Sequence, residues 1–178
     1  ETFSVTVKKT KSNRYLLIAS TQTLSSEYWY LDADSPTDEF TVIQPRQRDL
    51  EYHVDHHRDR FLIRTNMDAP NFKVVEVSVQ NPGMENWREI IPHRNDVLVA
   101  SIVVFEEFLV LSERRDALRR LRVLSWDNGQ AHEIEFDAPA YVTWISNNRE
   151  FGSRVLRFGF ASPATPNTIF DYDMATHH

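Results

Sequence analysis

Four apolar runs of strand length recur at nearly constant spacing, and this spacing constrains the fold more than any other feature of the chain. The runs are RYLLIAS from Arg14, RFLIRTN from Arg60, FLVLSER from Phe108 and RVLRFGF from Arg154. Their starts lie 46, 48 and 46 residues apart (14 to 60, 60 to 108, 108 to 154). A fixed period of that size marks a chain built from repeated supersecondary units, each too small to bury its own apolar face.

Each run has neighbours of the same kind. FSVTVK, EYHVD, VLVASIVV and YVTWIS precede the four runs, and YWYLDA, KVVEVSV, RLRVLSW and TIFDYDM follow them. Polar turns join the pairs: KSN, HHRD and NNREFGS, with a tighter one at Glu106 and Glu107. Val75, Val77 and Val79 alternate along one face, as a half-buried strand requires. A fourth strand follows in three units, as FTVIQ, WREII and HEIEF, 24 to 27 residues after the second begins. Four antiparallel strands per unit is the pattern of a β-propeller blade. The expectation is therefore an all-β β-propeller fragment of about four blades, at residues 1–45, 46–93, 94–137 and 138–178. The last blade is expected to be truncated, because its fourth strand would begin near residue 180.

One segment admits a different reading. SERRDALRRLRVL, residues 112–124, places Leu118, Leu121 and Leu124 three apart among five arginines, which also suits a basic amphipathic helix. A helix there would interrupt the repeat where the other units place a hairpin. Two prolines, Pro163 and Pro166, are expected in the connection between the last two strands, where a missing amide costs no ladder hydrogen bond.

Composition narrows the function classes. Hydrophobic residues make up 41%, too many for a disordered chain, and no apolar run is long enough for a membrane helix. The net charge of −6 argues against nucleic acid as a general partner. With no cysteine, thiolate catalysis, disulfides and Cys-based zinc sites are excluded, and a cytoplasmic location fits. Only 4 glycines are present, and no phosphate-cradling loop is written. The chain opens on ETFSVTV, without an initiator Met or a signal peptide, which is expected of a piece of a longer protein.

Candidate chemistry is sparse. The densest polar cluster is HVDHHRD, with His53, Asp55, His56, His57 and Asp59. Imidazole and carboxylate together suit zinc or iron, and His53, Asp55 and His57 share a face if the strand continues. The simpler expectation places the cluster at a solvated hairpin turn. Glu106 and Glu107 are expected to be solvated as well, and His177 and His178 are expected to be the remnant of a purification tag rather than ligands. No serine lies in a G-x-S-x-G elbow, since Gly159 and Ser162 in GFASP have the wrong spacing. WD occurs once, at Trp126 and Asp127, without the Gly-His partner of WD40 repeats. No catalytic residue, metal ligand or cofactor site is assigned.

Several stretches resemble one family in register. VTVKKTKSNRYLLI, EYWYLDAD, RDLEYHVDHHRDRFLIRTN, NFKVVEV, FDAPAYVTWI and RFGFASPATPNTIFDYDM are similar to the oligopeptidase B (protease II) group of the prolyl oligopeptidase family of serine peptidases. The resemblance implies a seven-bladed propeller capping an α/β-hydrolase domain, with this chain supplying roughly blades four to seven. It also implies cleavage of short peptides after Arg or Lys. The Ser, Asp and His of the triad would lie in the hydrolase domain, and no position here matches them. The implied partners are that domain and basic short peptides, with no nucleic acid or membrane. End blades stripped of neighbours would self-associate through exposed faces or edges, or the blades would close as a four-fold ring. Two other readings stand beside this one: a stand-alone protein-interaction propeller, and a metal-binding propeller using the His53–Asp59 cluster.

Overall fold

A computed structural model describes residues 2–178, which form fifteen strands and one 3-10 turn. Two compact units divide the chain, residues 1–95 and 96–178. In the first unit β1 (Ser4–Lys9), β2 (Tyr15–Gln22), β3 (Ser25–Asp32) and β4 (Thr41–Gln44) make one sheet in chain order. A second sheet follows, from β5 (Tyr52–His57), β6 (Arg60–Thr65), β7 (Lys73–Ser78) and β8 (Arg88–Ile91). The second unit contains a sheet of β9 (Leu98–Val104), β10 (Phe108–Arg115), β11 (Leu118–Ser125) and β12 (Ala131–Glu133). A three-stranded sheet, β13 (Val142–Ile145), β14 (Val155–Ser162) and β15 (Thr165–Asp173), completes it. Neighbouring strands in all four sheets pair antiparallel, so the four-stranded meander expected from the repeat is present three times, with three strands of a fourth.

Alternation along the strands builds the cores. In the first unit Leu17, Tyr28, Tyr52, Phe61, Ile63, Val75 and Val77 pack together, and Val79 joins from the rim. In the second, Phe105, Val110, Leu121, Val123, Leu156, Phe158 and Met174 do the same. Burying such side chains contributes about 1.5–3 kcal/mol each. Strands β6 and β7 are buried on both faces, because Leu62 and Val74 are as inaccessible as Phe61 and Val75. Polar groups on the second of these faces are paired: Glu76 accepts from Arg88 and pairs with Arg60 Nη1 at 2.8 Å, while the Arg64 guanidinium lies 3.5 Å over the Phe72 ring.

Residues 112–124 form a hairpin rather than a helix. Strands β10 and β11 pair from Phe108↔Ser125 to Arg115↔Leu118 around Asp116 and Ala117. Both turn residues have positive φ, 52° and 65°, the backbone a two-residue hairpin needs to follow the strand twist. Two arginines of the segment are neutralised across the sheet. Arg122 Nε lies 3.1 Å from Glu113 Oε2, and Arg120 Nη1 donates to Glu133 at 2.6 Å.

Three details depart from expectation. The two-proline connection is only Pro163 and Ala164, because β15 begins at Thr165 and carries Pro166 within it. Pro166 is tolerated there because the register slips between Phe160 and Ser162, a bulge on an outer strand. The strand read from HEIEF is short, ending at Glu133, although the Ile134 amide still donates to Leu121 O at 2.8 Å. The His56–His57 pair belongs to β5 and not to a turn.

Candidate functional site

The HVDHHRD stretch leads into the polar centre of the first unit. Strand β5 continues through His57, so only Arg58 and Asp59 turn the chain, with Arg58 at φ 57°. Period two then separates the cluster. His53, Asp55 and His57 share one face of β5, while Val54 and His56 face the core shared with the first sheet. His56 is 3% exposed and His57 is fully buried, which corrects the expectation of a solvated turn. The residue types did not reveal this, because a histidine reads equally well as turn or as strand.

Each side chain meets its own partner. The Asp55 carboxylate accepts the Lys11 amide at 3.0 Å and the His56 amide at 2.8 Å. His56 Nδ1 lies 2.8 Å from Ser12 Oγ, and Tyr15 packs edge-on to the imidazole at 4.7 Å. His53 Nδ1 meets Tyr28 OH at 3.1 Å, and His57 Nδ1 meets Arg60 Nη2 at 3.4 Å. Among the described residues no three His, Asp or Glu side chains converge on a point where a metal ion could sit. The groups point to separate neighbours, so the cluster acts as a fastening between sheets.

Ser12 beside His56 is a pairing that spacing did not reveal, because the two residues are 44 apart. It also has the composition of a nucleophile and its base. Its electrostatics suit a different role. Burial first, with smaller contributions from the charges of His57 and Arg14, pulls the His56 pKa down to about 4, although a backbone hydrogen bond at Arg58 and, more weakly, Asp59 oppose this. An imidazole that holds a proton so weakly is a poor general base at neutral pH. Burial also raises the Asp55 pKa and lowers that of Lys11 to about 8. These are signs of desolvation at a packed interface.

A second network lies deeper. The Tyr52 hydroxyl accepts the Tyr28 amide at 2.9 Å and donates to Gln44 O at 2.5 Å. Ser26 Oγ donates to Tyr52 O at 2.9 Å and accepts the Tyr52 amide at 2.7 Å. One tyrosine thereby stitches β5 to both β3 and β4. Burial raises its pKa, and that of Tyr28 to about 12.

The second unit carries a groove of about 690 Å³. Its walls are aromatic, with Phe136, Phe158, Phe160, Phe170 and Tyr172, and Glu135 and Asp137 sit at the lip. His177 stacks on His132 at 3.7 Å, and His132 Nε2 lies 2.9 Å from Tyr172 OH. Glu107 pairs with Arg154 at 2.8 Å, while Glu106 and Glu107 are both exposed as expected of a tight turn. Gly159 and Ser162 both lie on β14 rather than in an elbow.

Comparison with known proteins decides the family. The model of the prolyl oligopeptidase N-terminal β-propeller domain matches residues 1–178. The chain belongs to that family. Dipeptidyl aminopeptidase BI of Pseudoxanthomonas mexicana is 36% identical over 177 residues, 99% of this chain and 24% of its own length. Protease 2 of Moraxella lacunata is 22% identical over 99% of the chain and 25% of its length. Among solved structures, oligopeptidase B from Trypanosoma brucei, closed with covalently bound antipain, superposes with a TM-score of 0.92 at 28% identity. Oligopeptidase B from Leishmania major gives 0.92 at 26%. Each covers 99% of this chain, which in turn spans about a quarter of these relatives. All 178 residues are thus accounted for by the propeller domain, and none by a catalytic one. No helix among the described residues is long and apolar enough to cross a membrane.

Proposed function

We propose that this propeller is the substrate-gating and scaffolding part of an oligopeptidase B-like serine peptidase, one that cleaves short peptides after Arg or Lys. The observation that carries the reading is the TM-score of 0.92, at 28% identity, to an oligopeptidase B over 99% of the chain. In this account the four sheets are four blades with boundaries near 1–45, 46–93, 94–137 and 138–178. The partner is an α/β-hydrolase domain that supplies the triad, and the substrates are short basic peptides. A propeller over a catalytic cleft excludes folded proteins by size, and opening between the domains admits peptides while closing excludes water. A net negative propeller favours basic substrates by electrostatic focusing. A cytoplasmic location is part of the same proposal and rests on the absence of cysteine.

A second specificity has support of its own. The relative at 36% identity is named a dipeptidyl aminopeptidase, so release of N-terminal dipeptides is the competing activity. Full-length polypeptide from the reading frame separates the two. Fluorogenic peptides with a blocked N-terminus and Arg or Lys before the scissile bond should be turned over, and the 178-residue chain alone should be inert. Cleavage confined to free N-terminal dipeptides would replace the endopeptidase reading. Turnover by the 178-residue chain alone, after removal of contaminating protease, would overturn the scaffold role.

A further inference from the structure

We propose that the contact between the β1–β2 turn and strand β5 is an acid-sensitive latch, closed while the His56 imidazole is neutral and released when it takes a proton. The two sheets of the first unit share a core, and at one end of it the turn Lys11–Asn13 is pinned to β5. Two hydrogen bonds hold the pin, Lys11 amide to Asp55 and Ser12 Oγ to His56 Nδ1. The Tyr15 ring, the first residue of β2, closes over the imidazole, and Phe61 on β6 backs it at 6.0 Å.

The setting opposes a charge on His56. Its ring is buried, and cationic Arg14 comes from the turn side while His57 comes from β5. Lys11 lies on the turn and Lys8 on β1, both within range of Asp55. Two groups of the β5–β6 turn favour a proton on His56, the Arg58 backbone through a hydrogen bond and, more weakly, the Asp59 carboxylate, and burial outweighs both. Arg60 on β6 is engaged with His57 and Glu76. An imidazolium there is relieved by separating the turn from β5, which returns the ring to water.

The sign follows from linkage. A pKa near 4 in the closed form, against 6.5 when the ring is solvated, means that the open form binds more protons between those values. Lowering the pH from 7.5 to 5 then raises the open population by up to about 30-fold. Asp55 works in the opposite sense, because burial raises its pKa and acid favours its closed form. Asp55→Asn should therefore steepen the response.

Amide exchange of Lys11, followed by NMR in the 178-residue protein and corrected for intrinsic chemistry, tests the latch. Protection should fall with acid in the wild type and change less than about 3-fold in His56→Gln, while the core amide of Val110 stays constant in both. The same acid dependence in His56→Gln, or none in the wild type, overturns the proposal. Should His56→Gln not fold, ring titration of the wild type decides. A midpoint well below 6.5 shared by His56 and the Lys11 amide supports the latch, and a midpoint near 6.5 without response at Lys11 overturns it.

Discussion

Replacing Gly159 with alanine should destabilise the second unit, although alanine is the better strand residue. Gly159 is buried on β14, directly opposite Trp144 on β13 and Ile169 on β15. A Cβ built there would overlap the Trp144 indole at Cε2 and Cζ2, so the ring lies flat on the glycine. The overlap falls on the fused rings, so the whole indole must move to make room. Displacing the indole costs about 1–3 kcal/mol, the range for overpacking. Against that, alanine gains about 0.5–1 kcal/mol by restricting the unfolded chain. A net loss of about 1–2 kcal/mol is expected in Gly159→Ala. The assay is urea denaturation of the wild type, both single variants and the double variant, followed by circular dichroism so that loss of a tryptophan does not alter the probe. In the Trp144→Ala background the obstacle is gone, and Gly159→Ala should become neutral or stabilising by up to about 1 kcal/mol. The cycle should therefore show a coupling of about 2 kcal/mol. The same destabilisation in both backgrounds would refute the reasoning, because the penalty would then not lie in the indole contact.

Three further outcomes follow from particular residues. Ala117→Gly should stabilise the β10–β11 hairpin by about 0.5–1 kcal/mol in thermal melts, because Ala117 sits at φ 65°. Tyr52→Phe should cost about 1–3 kcal/mol by urea titration, because it strands the buried Tyr28 amide and Gln44 carbonyl. Lowering the pH from 6.5 towards 4 should destabilise the first unit by up to roughly 3 kcal/mol, since His56 is held neutral near pKa 4 when folded. Denaturation midpoints across that range check the sign, and His56→Gln should reduce the slope, leaving the share of His53, which burial also holds near pKa 4.

The repeat made the fold legible. Apolar runs 46–48 residues apart placed the second strand of every sheet, and the Val75, Val77, Val79 alternation identified a core face. The arginine-rich segment at 112–124 was ambiguous locally, because leucines three apart serve a helix or one hairpin arm. The repeat resolved it, since cross-strand pairing with Glu113 and Glu133 gives two of its arginines partners in a sheet. The connection between the last two strands is shorter than its two prolines suggest, because a register shift on an outer strand lets β15 carry Pro166. The polar cluster was the least legible. Its partners Ser12, Lys11 and Tyr28 come from another sheet, and no spacing rule links residues 25 to 44 apart. The burial of His56 and His57 likewise depends on what packs over β5, which is a tertiary fact.

The central claim, that this propeller serves a catalytic serine located elsewhere in the polypeptide, can be tested by covalent labelling. Full-length protein treated with a fluorophosphonate probe, digested and mapped should carry the label on one serine outside residues 1–178. The 178-residue chain under the same treatment should remain unlabelled. A labelled serine among residues 1–178, Ser12 beside His56 above all, would contradict the account.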